Sequence, residues 1–84
     1  PKYYICKASV KCNWTEVEEK IEKTIRKWRE IANLDLTDGV KIIGGDWWIL
    51  MRPSKTEPVL RIMAEAKNQD EASKLVKEVV NTIK

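Results

Sequence analysis

Residues 40–66 read VKIIGGDWWILMRPSKTEPVLRIMAEA, and their patterning decides the fold. Val40 to Ile43 is a β-forming run, Gly44-Gly45-Asp46 reads as a hairpin loop, and Trp47 to Arg52 is a second extended run. Pro53 and Pro58 bracket a short polar loop. From Val59 to Ala66 the even positions Leu60, Ile62, Ala64 and Ala66 are apolar, while Arg61 and Glu65 face the other way, so a third strand has one buried face. Trp47 and Trp48 are consecutive and must point to opposite sides, so only one of them is core by this pattern.

Working outward, Tyr4 to Cys12 alternates in the same way, with Tyr4, Cys6, Ala8, Val10 and Cys12 on one side and Lys7, Ser9 and Lys11 on the other. Cys6 and Cys12 share a face about 20 Å apart at ~3.3 Å per residue, so they cannot bridge to each other. Two thiols that cannot pair indicate a reducing compartment, and a cytoplasmic location is expected. Asn13 stands three residues before Glu16, with Cys12 placed to staple onto Val17, a helix-start pattern. Apolar residues then recur at steps of three and four from Trp14 through Val17, Ile21, Ile25 and Trp28 to Ile31 and Ala32, predicting an amphipathic helix of about five turns with both tryptophans in the core. Leu34 and Leu36 lead to Asp38-Gly39, read as a turn or bulge at the start of Val40 to Ile43. Asn68, three residues before Glu71, opens a last helix with Ala72, Leu75, Val76, Val79, Val80 and Ile83 on one stripe.

The predicted class is therefore α+β: a two-layer sandwich of order β-α-β-β-β-α, with a four-stranded, mostly antiparallel sheet and two helices on one face. The chain has 84 residues, which makes one small domain with one core. The longest apolar run is too short to span a membrane, no signal peptide is visible, and no membrane partner is expected. There is no His, which excludes His-based acid–base chemistry and His metal ligands, and two cysteines alone cannot complete a structural zinc site. No metal site is expected in this domain.

Net charge is +3 and it is uneven: residues 1–13 carry +3, residues 33–50 carry −2, residues 51–61 carry +2, and the remainder balances. No helical face or tail is continuously basic, so nucleic acid is not the expected partner. Within the positive segment, Arg52-Pro53-Ser54-Lys55-Thr56-Glu57-Pro58 combines what an anion site requires. Arg52 offers a planar fork for two phosphate oxygens, Ser54 and Thr56 offer hydroxyls, and the N–H groups of Ser54, Lys55 and Thr56 are candidates for a concave nest. The prolines stiffen the loop ends and lower the ordering cost of binding. An ordinary polar hairpin loop is the alternative on spacing alone.

Asp38-Gly39-Val40-Lys41-Ile42, then Leu50-Met51 and the loop at 52–58, then Leu60-Arg61-Ile62 and Glu65-Ala66, closely resemble the C-terminal domain of the α-D-phosphohexomutases, a family of phosphomannomutases, phosphoglucomutases and phosphoglucosamine mutases. The similarity follows the element order along the whole chain, from Pro1-Lys2-Tyr3-Tyr4 onward. The family's Arg-Pro-Ser-Gly-Thr-Glu-Pro loop is matched at six of seven positions, with Lys55 replacing Gly. The resemblance implies a single domain over 1–84 that binds the non-transferred phosphate of a hexose phosphate while 1-phosphate and 6-phosphate interconvert. It implies phosphate contacts from Arg52, Ser54, Lys55 through its N–H, and Thr56. Glu57 would repel an inward phosphate, so it is expected to accept a hydrogen bond that orients Arg52 or the loop backbone, and Arg61, one strand over, is either a supporting charge or a surface cation. No catalytic residue is implied in this stretch; the phosphoserine and the Mg²⁺ carboxylates are implied in other domains of a longer enzyme, the remaining partner. Two rivals stand beside this reading. One is an RNA-binding module of ferredoxin-like shape, against which the aromatic spacing argues. The other is a purely structural or dimerisation domain.

Overall fold

The structure is a computed structural model that describes residues 3–84; Pro1 and Lys2, where the resemblance begins, lie outside the described residues. Strand β1 (Tyr4–Lys11) leads through a 3-10 turn (Trp14–Glu16) into helix α1 (Val17–Trp28). Strands β2 (Asn33–Asp35), β3 (Val40–Ile43), β4 (Trp48–Pro53) and β5 (Val59–Ala66) follow, and helix α2 (Gln69–Ile83) closes the chain. The strands form one sheet of order β1-β5-β4-β3-β2 in which every neighbouring pair is antiparallel.

The α+β class, the two-layer arrangement and the single helical face are as read from the sequence. The strand count is not. A fifth strand, Asn33–Asp35, precedes the Asp38-Gly39 turn and pairs with β3 in the register Leu34 to Ile42. Gly39 has φ +77°, the left-handed backbone that lets residues 36–39 reverse the chain. The Asp35 carboxylate accepts a hydrogen bond from the Thr37 N–H at 3.0 Å, which steadies the turn and holds the Asp35 carboxyl below its usual range.

Burial explains the layering. Val40, Ile42, Ile49, Met51, Leu60, Ile62, Ala64 and Ala66 all face the helices and are buried. Helix α2 packs over β1 and β5, α1 over β2 and β3, and the two helices touch each other. In α2 the buried residues Ala72, Val76, Val79 and Ile83 recur at steps of four, three and four, so one stripe is sequestered. Its cap forms as expected, with Asn68 Oδ1 accepting the Glu71 N–H at 2.8 Å.

Helix α1 departs from the sequence reading at both ends. No side-chain cap forms at Asn13 or Glu16, and the regular helix covers 12 residues. Trp28 is buried at its C-terminal end, but Trp14 is 53% exposed and Ile31 65% exposed. The periodicity carried past both ends of the helix because Trp14 and Ile31 lie in phase with the stripe yet beyond the part of α1 that meets the sheet. Trp47 packs edge to face on Trp28, with centroids 5.9 Å apart, while Trp48 is on the helix-free face under the Lys41 ammonium, 5.2 Å from the ring centroid. The two consecutive tryptophans thus divide between the faces. Among the described residues, no helix is long and apolar enough to cross a membrane.

Candidate functional site

The loop between β4 and β5 is built from its ends inward. The register places Arg52 opposite Arg61 and Pro53 opposite Leu60, and the Ser54 N–H donates to the Val59 carbonyl at 3.0 Å, closing the hairpin. Beyond that closure the Ser54 side chain folds the loop. Its Oγ accepts the Thr56 N–H at 3.3 Å and the Glu57 N–H at 3.2 Å, and it sits 3.5 Å from Thr56 Oγ1. Ser54 is correspondingly buried, whereas Lys55, Thr56 and Glu57 are exposed. The Cys12 N–H donates to the Pro58 carbonyl at 2.8 Å and ties the far end of the loop to the end of β1.

This bonding changes the expected nest. The N–H groups of Ser54 and Thr56 are already committed inside the loop, and among the described residues only the Lys55 N–H of the three is without a partner. The Ser54 oxygen accepts two bonds, and one hydrogen between the Ser54 and Thr56 hydroxyls is shared across their 3.5 Å contact, which leaves the other to donate outward. Lys55 has no positive φ, so the position that is Gly in the loop it resembles carries no left-handed strain here.

The charges meet on the helix-free face. Arg52 and Arg61 are directly opposite, and Ser9 follows in the same row across β5. Like charges facing each other across a ladder are unfavourable by a few tenths to ~1 kcal/mol, so an anion between them reverses the sign of the interaction. A cleft of about 740 Å³ on this side includes Ser9, Arg52, Ser54, Thr56 and Arg61 in its lining, and no carboxylate among its lining residues. The loop also forms one wall of a second, more apolar cleft against Trp14, Ile21, Leu36 and Asp38.

Asp38, which the loop motif does not include, supplies the carboxylate that meets Arg52: Oδ2 lies 3.5 Å from a guanidinium nitrogen. Glu57, the expected acceptor for Arg52 or the loop, contributes its backbone instead, its N–H to Ser54 and its carbonyl to the Val59 N–H at 2.8 Å. Asp38 reaches Arg52 because Gly39 lets the β2–β3 turn press against β4; a Cβ on Gly39 would sit 2.5 Å from the Met51 carbonyl oxygen and 2.7 Å from Arg52 Cγ. The Asp38–Arg52 pair is exposed and stretched, so it steadies the guanidinium weakly and leaves most of its N–H groups free. Lys7, the second residue missed by the sequence reading, lines the 740 Å³ cleft from β1. Only the strand register brings it there.

A family model described as "Phosphoglucomutase/phosphomannomutase, C-terminal domain" matches residues 8–82. A phosphoglucosamine/phosphogalactosamine mutase of Sulfurisphaera tokodaii is 44% identical over 81 residues, which cover 94% of this chain and 18% of that protein. A probable phosphoglucosamine mutase of Pyrococcus horikoshii is 36% identical over 87 residues, covering 100% of this chain and 19% of its own length. A phosphoglucomutase/phosphomannomutase of Thermococcus kodakarensis is 40% identical over 77 residues, covering 86% and 16%. The chain thus spans less than a fifth of the length of these curated relatives.

Proposed function

Because the chain belongs to the family of phosphoglucomutase and phosphomannomutase C-terminal domains, we propose that its loop at residues 52–58 holds the non-transferred phosphate of a hexose phosphate during interconversion of the 1- and 6-phosphates. The observation that carries the proposal is the face-to-face placement of Arg52 and Arg61 beside a loop of hydroxyls, in a cleft lined by no carboxylate. Arg52 forks two phosphate oxygens, the paired Ser54 and Thr56 hydroxyls and the Lys55 N–H donate to the others, and Arg61 neutralises remaining charge from the neighbouring strand. The Lys55 ammonium stays in solvent. Every one of these groups binds; none makes or breaks a bond.

Such a division suits a phosphosugar mutase. A rigid anion site recognises phosphate whichever end of the sugar presents it, and it orients the other end toward chemistry performed elsewhere. The relatives named for glucosamine, galactosamine and mannose phosphates agree with a loop that reads phosphate and leaves sugar identity to other parts of a longer enzyme. Mg²⁺ belongs, in this proposal, to those other parts. The same proposal places the enzyme in the cytoplasm, where Cys6 and Cys12 remain free thiols.

Thermal unfolding in inorganic phosphate tests the site. At ten times its dissociation constant a ligand specific to the folded state adds about 1.4 kcal/mol, which is roughly 6–11 °C for a domain of this size. Arg52→Ala is expected to lose that increment and keep only the general salting effect of phosphate. Equal stabilisation of both proteins would overturn the assignment of Arg52.

A further inference from the structure

Resting on that reading of the loop, we propose that the exposed Trp14 ring is a platform on which the sugar ring of the bound phosphate ester packs, in the cleft on the helical side of the loop. The loop is the shared rim of two clefts, because Arg52, Pro53, Ser54 and Lys55 line both. A phosphate held at this rim can turn its ester group to either side. Charge divides the two. The cleft on the helix-free face carries Lys7, Arg52 and Arg61 and no carboxylate among its lining residues, which suits the dianion. The other, also about 740 Å³, has Trp14, Ile21, Ile25 and Leu36 as apolar walls and includes Asp38. An aromatic face together with a carboxylate acceptor matches an uncharged polyhydroxylated ring, whose C–H groups pack on the indole and whose hydroxyls donate to the carboxylate. A dianion in that cleft would meet repulsion from Asp38.

Trp14 is 53% exposed although it keeps phase with the α1 stripe, and Leu36, which lines the same cleft, is equally exposed. Large apolar side chains left open beside an anion site mark a ligand groove rather than a core. The backbone ties this indole to the loop. Two residues before Trp14, the Cys12 N–H donates to the Pro58 carbonyl, and the Glu16 N–H donates to the Asn13 carbonyl at 2.8 Å, so the 3-10 turn that carries Trp14 starts from the far end of the loop itself. The Cα atoms of Trp14 and Pro58 are therefore at most about 13 Å apart, a gap that an indole and a sugar ring fill together. Ile31, the other in-phase residue beyond the helix, lines neither cleft and serves as the control. Packing on ring C–H groups does not read the configuration of the hydroxyls, so sugar identity stays with other parts of a longer enzyme. The contact takes one face of the ring and leaves the far end of the sugar free to reach them.

The test compares methyl phosphate with glucose 6-phosphate, two phosphate monoesters that differ in the sugar ring, through dissociation constants measured from amide shifts of the ¹⁵N-labelled chain and its variants. Glucose 6-phosphate is expected to bind about three- to tenfold more tightly, the range of one aromatic packing contact, and to move the Trp14 indole N–H resonance, which methyl phosphate leaves in place. Trp14→Ala should remove that preference and leave the methyl phosphate constant unchanged, while Trp14→Tyr should keep most of it and Ile31→Ala all of it. Both positions are more than half exposed, so these substitutions are expected to leave the chain folded. The proposal is overturned if the native chain binds the two esters equally, or if Trp14→Ala weakens both alike. It is also overturned if the Trp14 indole shifts with protein concentration and not with the sugar ester, the mark of a surface between two copies of this chain. If neither ester shifts the loop at residues 52–58, the phosphate site itself fails and the ring contact fails with it; a loop that answers methyl phosphate while glucose 6-phosphate gains nothing overturns the ring contact alone.

Discussion

Replacing Gly39 with Ala probes the link between the β2–β3 turn and the anion loop. Two costs add. A residue with a side chain in left-handed backbone loses ~1–2 kcal/mol relative to Gly. The new Cβ also arrives 2.5 Å from the Met51 carbonyl oxygen and 2.7 Å from Arg52 Cγ. The carbonyl belongs to a backbone that β3 and β5 hold from both sides, so it cannot simply rotate away, and relief of such overpacking costs ~1–3 kcal/mol. A total of about 3 kcal/mol is expected, against a whole-domain stability of roughly 4–13 kcal/mol for a chain of this length. Gly45→Ala is the control, since nothing lies within 4 Å of the position its Cβ would take; it should change stability by less than ~0.5 kcal/mol. Urea unfolding with fluorescence from the four tryptophans measures both. With a slope of ~1–3 kcal/mol/M, the Gly39 variant should lose 1 M or more of midpoint at unchanged slope. A loss below ~1 kcal/mol, or an equal loss in Gly45→Ala, would refute the argument that close approach to Arg52 is what requires glycine here.

Ile49→Ala should cost ~2–5 kcal/mol in the same assay, because Ile49 is fully buried in the central strand and its removal leaves a cavity beneath the helices. Acid should loosen the β2–β3 turn: the Asp35 carboxyl is held below its usual range by the Thr37 N–H, so the stability it contributes is present above its unfolded pKa and lost as pH falls through the lower folded value. Thr37 amide exchange that does not quicken in that window would contradict this. In alkali the opposite sign applies to Lys67, whose pKa is raised by its hydrogen bond to Asp46; that contribution is present below the unfolded pKa and lost as pH rises through the folded one. Asp46→Asn should remove this alkaline component of the unfolding curve.

Several elements are legible in the sequence because a single physical rule determines them. The alternation of Leu60, Ile62, Ala64 and Ala66 marks β5 directly, since period two on a sheet buried on one face admits no other register. Helix α2 is legible for the same kind of reason, with an Asn68 cap and a clean stripe. Strand β2 is not, because three residues with one inward side chain, Leu34, are too few to display a period. Trp14 misleads in the opposite way: it keeps helical phase with the core stripe but extends past the sheet, where phase no longer implies burial. At the site, the loop motif is local and so is visible in the chain. The Asp38–Arg52 pair and the place of Lys7 are not local. They depend on which strands neighbour one another, and that is settled by tertiary pairing. The nest fails for a related reason: spacing counts N–H groups but does not reveal that Ser54 Oγ and the Val59 carbonyl take two of them.

The central claim is that the β4–β5 loop and Arg61 together bind phosphate. A titration of the ¹⁵N-labelled chain with glucose 6-phosphate at up to tens of millimolar tests it most directly. The account predicts saturable shifts concentrated at residues 52–58 and 61, largest at the unpartnered Lys55 amide and absent in Arg52→Ala. Shifts spread evenly over the lysines of the helices, or a loop that stays unmoved throughout the titration, would contradict it.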